Sequence, residues 1–299
     1  MSAMQNPAPT PRSQPSSSAR RNAVQTAGFA GLTLLALFTV IPIFYIVALI
    51  FVQGLPAISW EFLSAFPSQG MRAGGVFPAI LGTVYLTFFT TLFAVPLGIA
   101  AAIYLSEYAP DNLWTRIIRI AIINLAGIPS IVYGLFGLGI FVIFFRLGTS
   151  ILAASFTLAI MTLPVVISTA EEALRSVPQS FRVVSISLGA TRWQTIQRVV
   201  LPQSLPGILT GVILGLERAA GETAPILFTG AAFYLPTLPS SPLDATMALP
   251  YHLYVVSTQV PGMPVEIQYG TALVLLVLVL GLNILATIIR SRARARRQW

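Results

Sequence analysis

Cysteine and lysine are absent from the 299 residues, and histidine occurs once, as His252. A chain without cysteine forms no disulfide, and a single histidine cannot build a Cys/His metal cluster. The missing lysine also excludes the Gly-rich phosphate loop that binds nucleotides through a Lys side chain. We therefore expect no cofactor and no metal in this chain.

Charge is also scarce, because charged residues make up 9% of the chain whereas hydrophobic residues make up 56% and the mean hydropathy is +0.82. The hydrophobic fraction exceeds that of ordinary water-soluble domains. Crossing a hydrocarbon core of about 30 Å takes about 20 helical residues, and six apolar segments reach that length. They are residues 28–52, 76–105, 120–145, 147–170, 205–232 and 267–289. The sequence thus predicts an all-α integral membrane protein with six transmembrane helices.

All 17 basic residues are arginines, and their distribution predicts the orientation of the chain. With the N-terminus in the cytoplasm, 14 arginines fall on the inside, only Arg72 and Arg146 fall outside, and Arg218 lies in the membrane. Cytoplasmic segments of membrane proteins carry such an excess, so we expect both termini in the cytoplasm of an inner-membrane protein. Membrane topology and anionic lipid then explain the net charge of +8, and nucleic-acid binding remains a minor alternative.

Four regions follow from this pattern. Residues 1–22 are rich in Pro and Ser and are predicted to form a disordered cytoplasmic tail. Residues 23–75 would hold the first transmembrane helix, too long for a cleaved signal sequence, and an extracytoplasmic loop. Residues 76–290 would form a core of five helices with a cytoplasmic loop at 171–204, and 291–299 a basic cytoplasmic tail.

The fifth segment carries three charges, Glu217, Arg218 and Glu222, in an otherwise uncharged stretch of 28 residues. A charge at bilayer depth costs about 2.5–3.5 kcal/mol and usually faces a partner, water or a translocated ion. Arg218 and Glu222 are four residues apart and can meet, whereas Glu217 points elsewhere on the helix. One interpretation is that Arg218 binds a tetrahedral oxyanion with two parallel hydrogen bonds, and Glu222 holds Arg218 when no anion is present. The alternative is that the pair only joins two helices.

The same helix has a ridge of small residues and a proline. The ridge consists of Gly207, Gly211, Gly215 and Ala219. Small residues at this spacing allow close packing of helices in lipid. Pro225 cannot donate a hydrogen bond to Gly221, so we expect a hinge or break beside Glu222. Broken helices near the middle of the membrane form ion sites in transporters.

The predicted loop at 171–204 contains two amphipathic runs separated by Gly189 and Ala190. Leu201-Pro202 is expected to end the second run and turn the chain into the membrane. Physical reasoning leaves two interpretations open, a hairpin lying in the lipid headgroups or a helix presented to a cytoplasmic partner.

The stretch SLGATRWQTIQRVVLP resembles the coupling loop of ATP-binding-cassette importer permeases. The family's Gly corresponds to Gly189, Val199 replaces an Ile, and Leu201-Pro202 closes the motif. The resemblance implies contact with an ATPase through residues near the motif's Gly and its end, namely Gly189, Ala190, Thr191, Leu201 and Pro202. Val183 occupies the place of the family's usual Glu, so that Glu contact is not carried over.

A narrower resemblance lies in ERAAGETAPILFTG, which is similar to phosphate-importer permeases of the PstA type. The matching core residues are Arg218, Gly221, Glu222 and Thr223. The resemblance implies the type I permease fold of ATP-binding-cassette importers and a substrate pathway that includes Arg218, Glu222, Glu217 and Thr223. It also implies a second, related permease subunit, two ATPase subunits that hold ATP and Mg²⁺, and an extracytoplasmic phosphate-binding protein.

Alternatives remain at this point. Arg and Glu alone do not separate phosphate from sulfate or molybdate. A membrane-embedded enzyme is a remote alternative, since no catalytic triad or His-metal site is available and Glu217 with Glu222 is the only carboxylate pair at depth. His252, between Tyr251 and Tyr254 in a loop outside the membrane, is expected either to touch a binding protein or to belong to an interfacial aromatic cluster.

Overall fold

The computed structural model describes residues 16–295. The chain divides into two compact units, one up to Ile50 and one from Phe51 onward. Most of the first unit is helix α1 (Ser16–Gly54), whose apolar side chains are exposed along its length. Residues 16–22 are therefore helical and do not belong to a disordered tail. The last proline of that region is Pro15, and a helix is free to begin after it. Residues 1–15 lie outside the described residues.

The second unit is almost entirely helical. Its helices are α2 (Trp60–Ser64), α3 (Phe77–Ile103), α4 (Leu113–Ala126), α5 (Ser130–Gly137), α6 (Ile151–Arg175), α7 (Gln179–Ser187), α8 (Arg192–Thr195), α9 (Leu201–Gly221), α10 (Ala224–Thr229), α11 (Leu249–Thr258) and α12 (Val265–Ala295). Three π-helical segments adjoin them, Tyr104–Tyr108, Leu138–Phe144 and Ile196–Val200. Two short antiparallel strands, β1 (Pro67–Ser68) and β2 (Ala73–Gly74), precede α3.

Across residues 16–295, five helices are long and apolar enough to cross a membrane, and a bent pair makes a sixth span if it is counted as one. The prediction of an all-α membrane protein is confirmed. The last of these helices, α12, continues to Ala295, so the predicted basic tail begins within a helix and only 296–299 lie outside the description.

The third predicted span is wrong as a single helix over 120–145, because α4 and α5 meet at an angle of 104°. The physical reason is Pro129, which lacks an N–H group and disfavours helical geometry at the residue before it. Helix α4 accordingly ends at Ala126, and the Tyr133 hydroxyl of α5 donates a hydrogen bond to the Leu125 carbonyl at 2.7 Å. The same carbonyl also accepts from the Ile128 N–H at 3.1 Å, so Tyr133 adds a side-chain contact to the end of α4.

The expectation that Leu201-Pro202 ends a helix is also wrong, because the chain is helical without interruption from Arg192 to Gly221. The π-helical segment Ile196–Val200 shifts the hydrogen-bond pattern before Pro202, which then lies in the first turn of α9. A proline is tolerated in that turn, where its missing N–H is not needed. Since α6 also extends to Arg175, the predicted loop 171–204 shortens to residues 176–191, which include α7.

Helix α6 packs along both α3 and α9, which also contact each other. Three glycines of α9 face it, Gly207 against Ala173, Gly211 against Thr169 and Gly215 against Val166. A Cβ atom at Gly211 would overlap the Thr169 hydroxyl, so only glycine permits this approach. The close contact fixes α9 against α6 over the turns that lead to Arg218.

Candidate functional site

The charged pair lies where α9 breaks. Helix α9 ends at Gly221, Glu222 is extended with φ −76° and ψ 134°, and α10 begins at Ala224 with Pro225 in its first turn. The break falls where Pro225 predicts it. Gly221 has no neighbour within 4 Å of a Cβ atom built on it, so it lies outside the packed glycine ridge.

Arg218 and Glu222 contact each other weakly. The Arg218 Nε atom donates to Glu222 Oε1 at 3.4 Å, and the two side chains are 34% and 19% exposed. Within residues 16–295 no other hydrogen bond engages the guanidinium, so its outer N–H groups are available to a ligand. A planar guanidinium with free donors and a loosely held carboxylate partner can exchange that partner for an oxyanion.

The other two predicted pathway residues are near in sequence but do not join the pair. Glu217 is partly buried and forms no hydrogen bond or ion pair with any residue in the described range. Thr223 precedes α10, and its backbone oxygen accepts a hydrogen bond from Leu227 at 3.2 Å. The pair at the break therefore consists of Arg218 and Glu222.

Tyr133 is a buried polar residue near this break that sequence reasoning missed. It is buried on α5, where its hydroxyl donates a hydrogen bond to the Leu125 carbonyl. The next residue, Gly134, lies so near Ala224 and Pro225 that a Cβ atom there would be 2.9 Å from the Ala224 carbonyl oxygen. The bent span thus packs α5 against the start of α10, beside the break. A tyrosine in an otherwise apolar segment was the available indication, since its hydroxyl requires a partner.

The segment that resembles a coupling loop is a short helical hairpin of α7 and α8. Gly189 joins the two helices with φ +87°, a conformation that side chains with a Cβ rarely adopt. Thr191 caps α8, because its hydroxyl accepts from the Gln194 N–H and the Gln194 side chain accepts from the Thr191 N–H. The Ser185 and Thr195 hydroxyls, 2.9 Å apart, tie the two helices together.

The outer face of the hairpin is apolar and open. Val183, Val184 and Leu188 of this face are exposed, Leu188 by 83%. Gly189, Ala190 and Thr191 lie at the tip, whereas Leu201 and Pro202 are further along the continuous helix. The five residues predicted to couple to an ATPase therefore come from two places, the tip of the hairpin and the start of α9.

His252 cannot serve as a surface contact, because its side chain is only 3% exposed. Its Nδ1 atom has no hydrogen-bond partner in the described part of the chain, and burial lowers the pKa of His252 to about 4. A neutral, buried histidine on α11 fits a packing role, and the interpretation as a contact to a binding protein is wrong.

A bundle of apolar helices that includes a charged pair at a helix break and a hairpin with an open apolar face has the features of a transport permease. The chain belongs to the family described as "Binding-protein-dependent transport system inner membrane component", which matches residues 94–296. It is therefore a transport subunit of the inner membrane and not an enzyme, and its family works with a separate ATPase and a substrate-binding protein.

Relatives agree with this class, and a solved structure shares the fold. The chain is 34% identical over 249 residues to a probable phosphate transport system permease protein PstA of Methanocaldococcus jannaschii, covering 83% of this chain and 87% of the relative. It is 33% identical over 281 residues to the phosphate transport system permease protein PstA of Mycobacterium leprae, covering 92% and 90%. A bacterial alginate ATP-binding-cassette transporter solved with its periplasmic protein has the same fold, with a TM-score of 0.67, 16% identity, and coverage of 91% and 96%.

Proposed function

We propose that this chain is the permease subunit that carries inorganic phosphate through an ATP-driven importer. The observation that carries the proposal is the Arg218–Glu222 pair at the break between α9 and α10, with guanidinium donors open to a ligand. Relatives named as phosphate permeases support phosphate over sulfate or molybdate as the substrate. In this proposal Arg218 binds the anion, and Glu222 neutralises Arg218 when the anion has left.

The proposed complex contains a second, related permease, two ATPase subunits that hold ATP and Mg²⁺, and an extracytoplasmic phosphate-binding protein. Both termini of this chain lie in the cytoplasm, as the 14 arginines on that side favour. The α7–α8 hairpin then faces the ATPases, and its exposed apolar residues form the docking face.

The proposed mechanism follows from the continuous helix. ATP-driven closure of the ATPases displaces the hairpin, and α8 transmits the displacement directly to α9 because no break separates them before Gly221. The end of α9 carries Arg218, so the movement exposes the guanidinium to one side of the membrane at a time. The α9–α10 break allows α9 to move while α10 stays packed on α5.

The substrate is tested by uptake into vesicles that contain the assembled complex, its binding protein and internal ATP. Labelled phosphate should accumulate, and excess unlabelled phosphate should suppress the accumulation while excess sulfate should not. Vesicles without ATP provide the control. Accumulation of labelled sulfate or molybdate at the rate of phosphate would refute the assignment of substrate.

A further inference from the structure

A second polar cluster, which shares no residue with the charged pair, lies at the end of the span formed by α3. Glu107 belongs to the π-helical segment that continues α3 to Tyr108, and its side chain is 8% exposed. Arg182 of α7 forms a two-pronged ion pair with it, Nη2 to Oε1 at 2.7 Å and Nε to Oε2 at 3.2 Å. Paired contacts of this kind are geometrically specific and are among the stronger polar contacts in proteins.

Arg182 is held on its other side as well. Its Nη1 atom donates to the Val177 carbonyl at 2.6 Å, and Nη2 donates to the Leu174 carbonyl at 2.9 Å. The Arg182 side chain is 11% exposed, so this largely buried guanidinium joins α7, the end of α6 and the end of α3. Since buried charges depend strongly on their partners, removing the Glu107 carboxylate would leave Arg182 unpaired.

The second helix of the hairpin reaches the same residue. Arg192 at the start of α8 donates to the Glu107 carbonyl oxygen, and its guanidinium carbon lies 4.9 Å from the centre of the Tyr108 ring. Glu107 therefore contacts both helices of the hairpin, one through its carboxylate and one through its backbone. These contacts between Glu107, Arg182 and Arg192 are called here the Glu107 clamp.

The clamp borders open space. A cavity of about 710 Å³ lies beside it, lined by Glu107, Arg182, Arg192 and Arg175 among others. Phe181 of α7 also packs against the hydrophobic cluster that includes Ala102 of α3, so the hairpin meets α3 through both polar and apolar side chains. Helix α3 in turn packs along α6 and also contacts α9.

We infer that Glu107 is a positioning residue for energy coupling, and that the Glu107 clamp makes α3 a second route by which the hairpin moves the transmembrane core. The first route is the covalent one, through α8 into α9. With the clamp intact, α3 and α9 move together and ATP hydrolysis drives phosphate transport. Without it, the hairpin moves while α3 stays behind. This inference rests on the proposed function.

The test measures phosphate uptake and ATP hydrolysis in the same vesicles, together with the amount of assembled complex. Glu107→Gln removes the charge pair, and Glu107→Gln combined with Arg182→Gln also removes the unpaired arginine. Both should hydrolyse ATP while the phosphate transported per ATP falls roughly tenfold, within the range of about 5- to 150-fold typical of coupling between sites. Glu266→Gln, at an exposed carboxylate on α12, is the control and should keep the wild-type ratio.

If the double variant transported as much phosphate per ATP as the wild type, the inference would be overturned and the Glu107–Arg182 pair would have a purely structural role. If neither of these two variants assembles, Glu107→Asp, which keeps the charge on a shorter side chain, replaces them. A reduced amount of phosphate transported per ATP would then support the inference, and a wild-type amount would overturn it. Failure of the proposed function is distinguishable, because then the wild-type complex itself would not take up phosphate.

Discussion

Replacing Arg218 with Gln is expected to lower phosphate uptake roughly 100-fold or more while the complex still assembles. The loss follows from the chemistry of the bound anion, since each charge-assisted hydrogen bond contributes about 1.5–3 kcal/mol and a guanidinium supplies two. Assembly should survive because the Arg218 side chain is 34% exposed and holds Glu222 through one contact of 3.4 Å. Uptake of labelled phosphate per assembled complex measures the effect.

The control for this change is Arg116→Gln, which removes an exposed arginine from α4 and should leave uptake near the wild-type value. Full uptake by Arg218→Gln would show that the Arg218–Glu222 pair only holds helices together. A loss of assembled complex in proportion to the loss of uptake would point to the same structural role.

Gly189→Trp is expected to abolish most of the ATP hydrolysis that phosphate stimulates, and uptake with it. The left-handed backbone at φ +87° costs a residue with a Cβ about 1–2 kcal/mol. The indole would also project from the hairpin tip, where nothing in the chain lies within 4 Å of a Cβ atom. If the tip docks on the ATPase, the loss should reach roughly 30-fold, as for a contact that contributes about 2 kcal/mol.

Gly189→Ala separates the two causes, because it carries the backbone strain without the bulk and should lose much less activity. Equal losses in both variants would mean that the tip matters for its conformation and not for docking. Unchanged hydrolysis and uptake in Gly189→Trp would contradict a coupling role for the hairpin.

The fold could be predicted where periodicity and composition act locally. Long apolar segments predict the membrane helices. Pro225 predicts the break beside Glu222, because a proline disrupts the hydrogen bonding of the helical turn in which it lies. The errors came from prolines whose effect depends on context. The pattern around Pro202 predicts a helix end, but the preceding π-helical segment accommodates this proline. The uncharged, mostly apolar segment 120–145 predicts one span, but the chain bends before Pro129.

The site was less predictable because its members come from distant parts of the chain. Arg218 and Glu222 stand out in sequence since they are charges in an apolar segment four residues apart. Tyr133 lies on α5, which packs against α10 after the 104° bend between α4 and α5. Glu107 and Arg182 are 75 residues apart, and no local pattern connects them.

The central claim, that the guanidinium at the break of α9 lies on a path open to solutes, is tested by the accessibility of position 218. The chain contains no cysteine, so Arg218→Cys introduces a single thiol into this subunit. A membrane-impermeant, negatively charged thiol reagent should label it in the assembled complex, whereas Val277→Cys, in the apolar part of α12, should remain unlabelled. Absence of labelling at position 218 from both sides of the membrane, with and without ATP, would contradict the account.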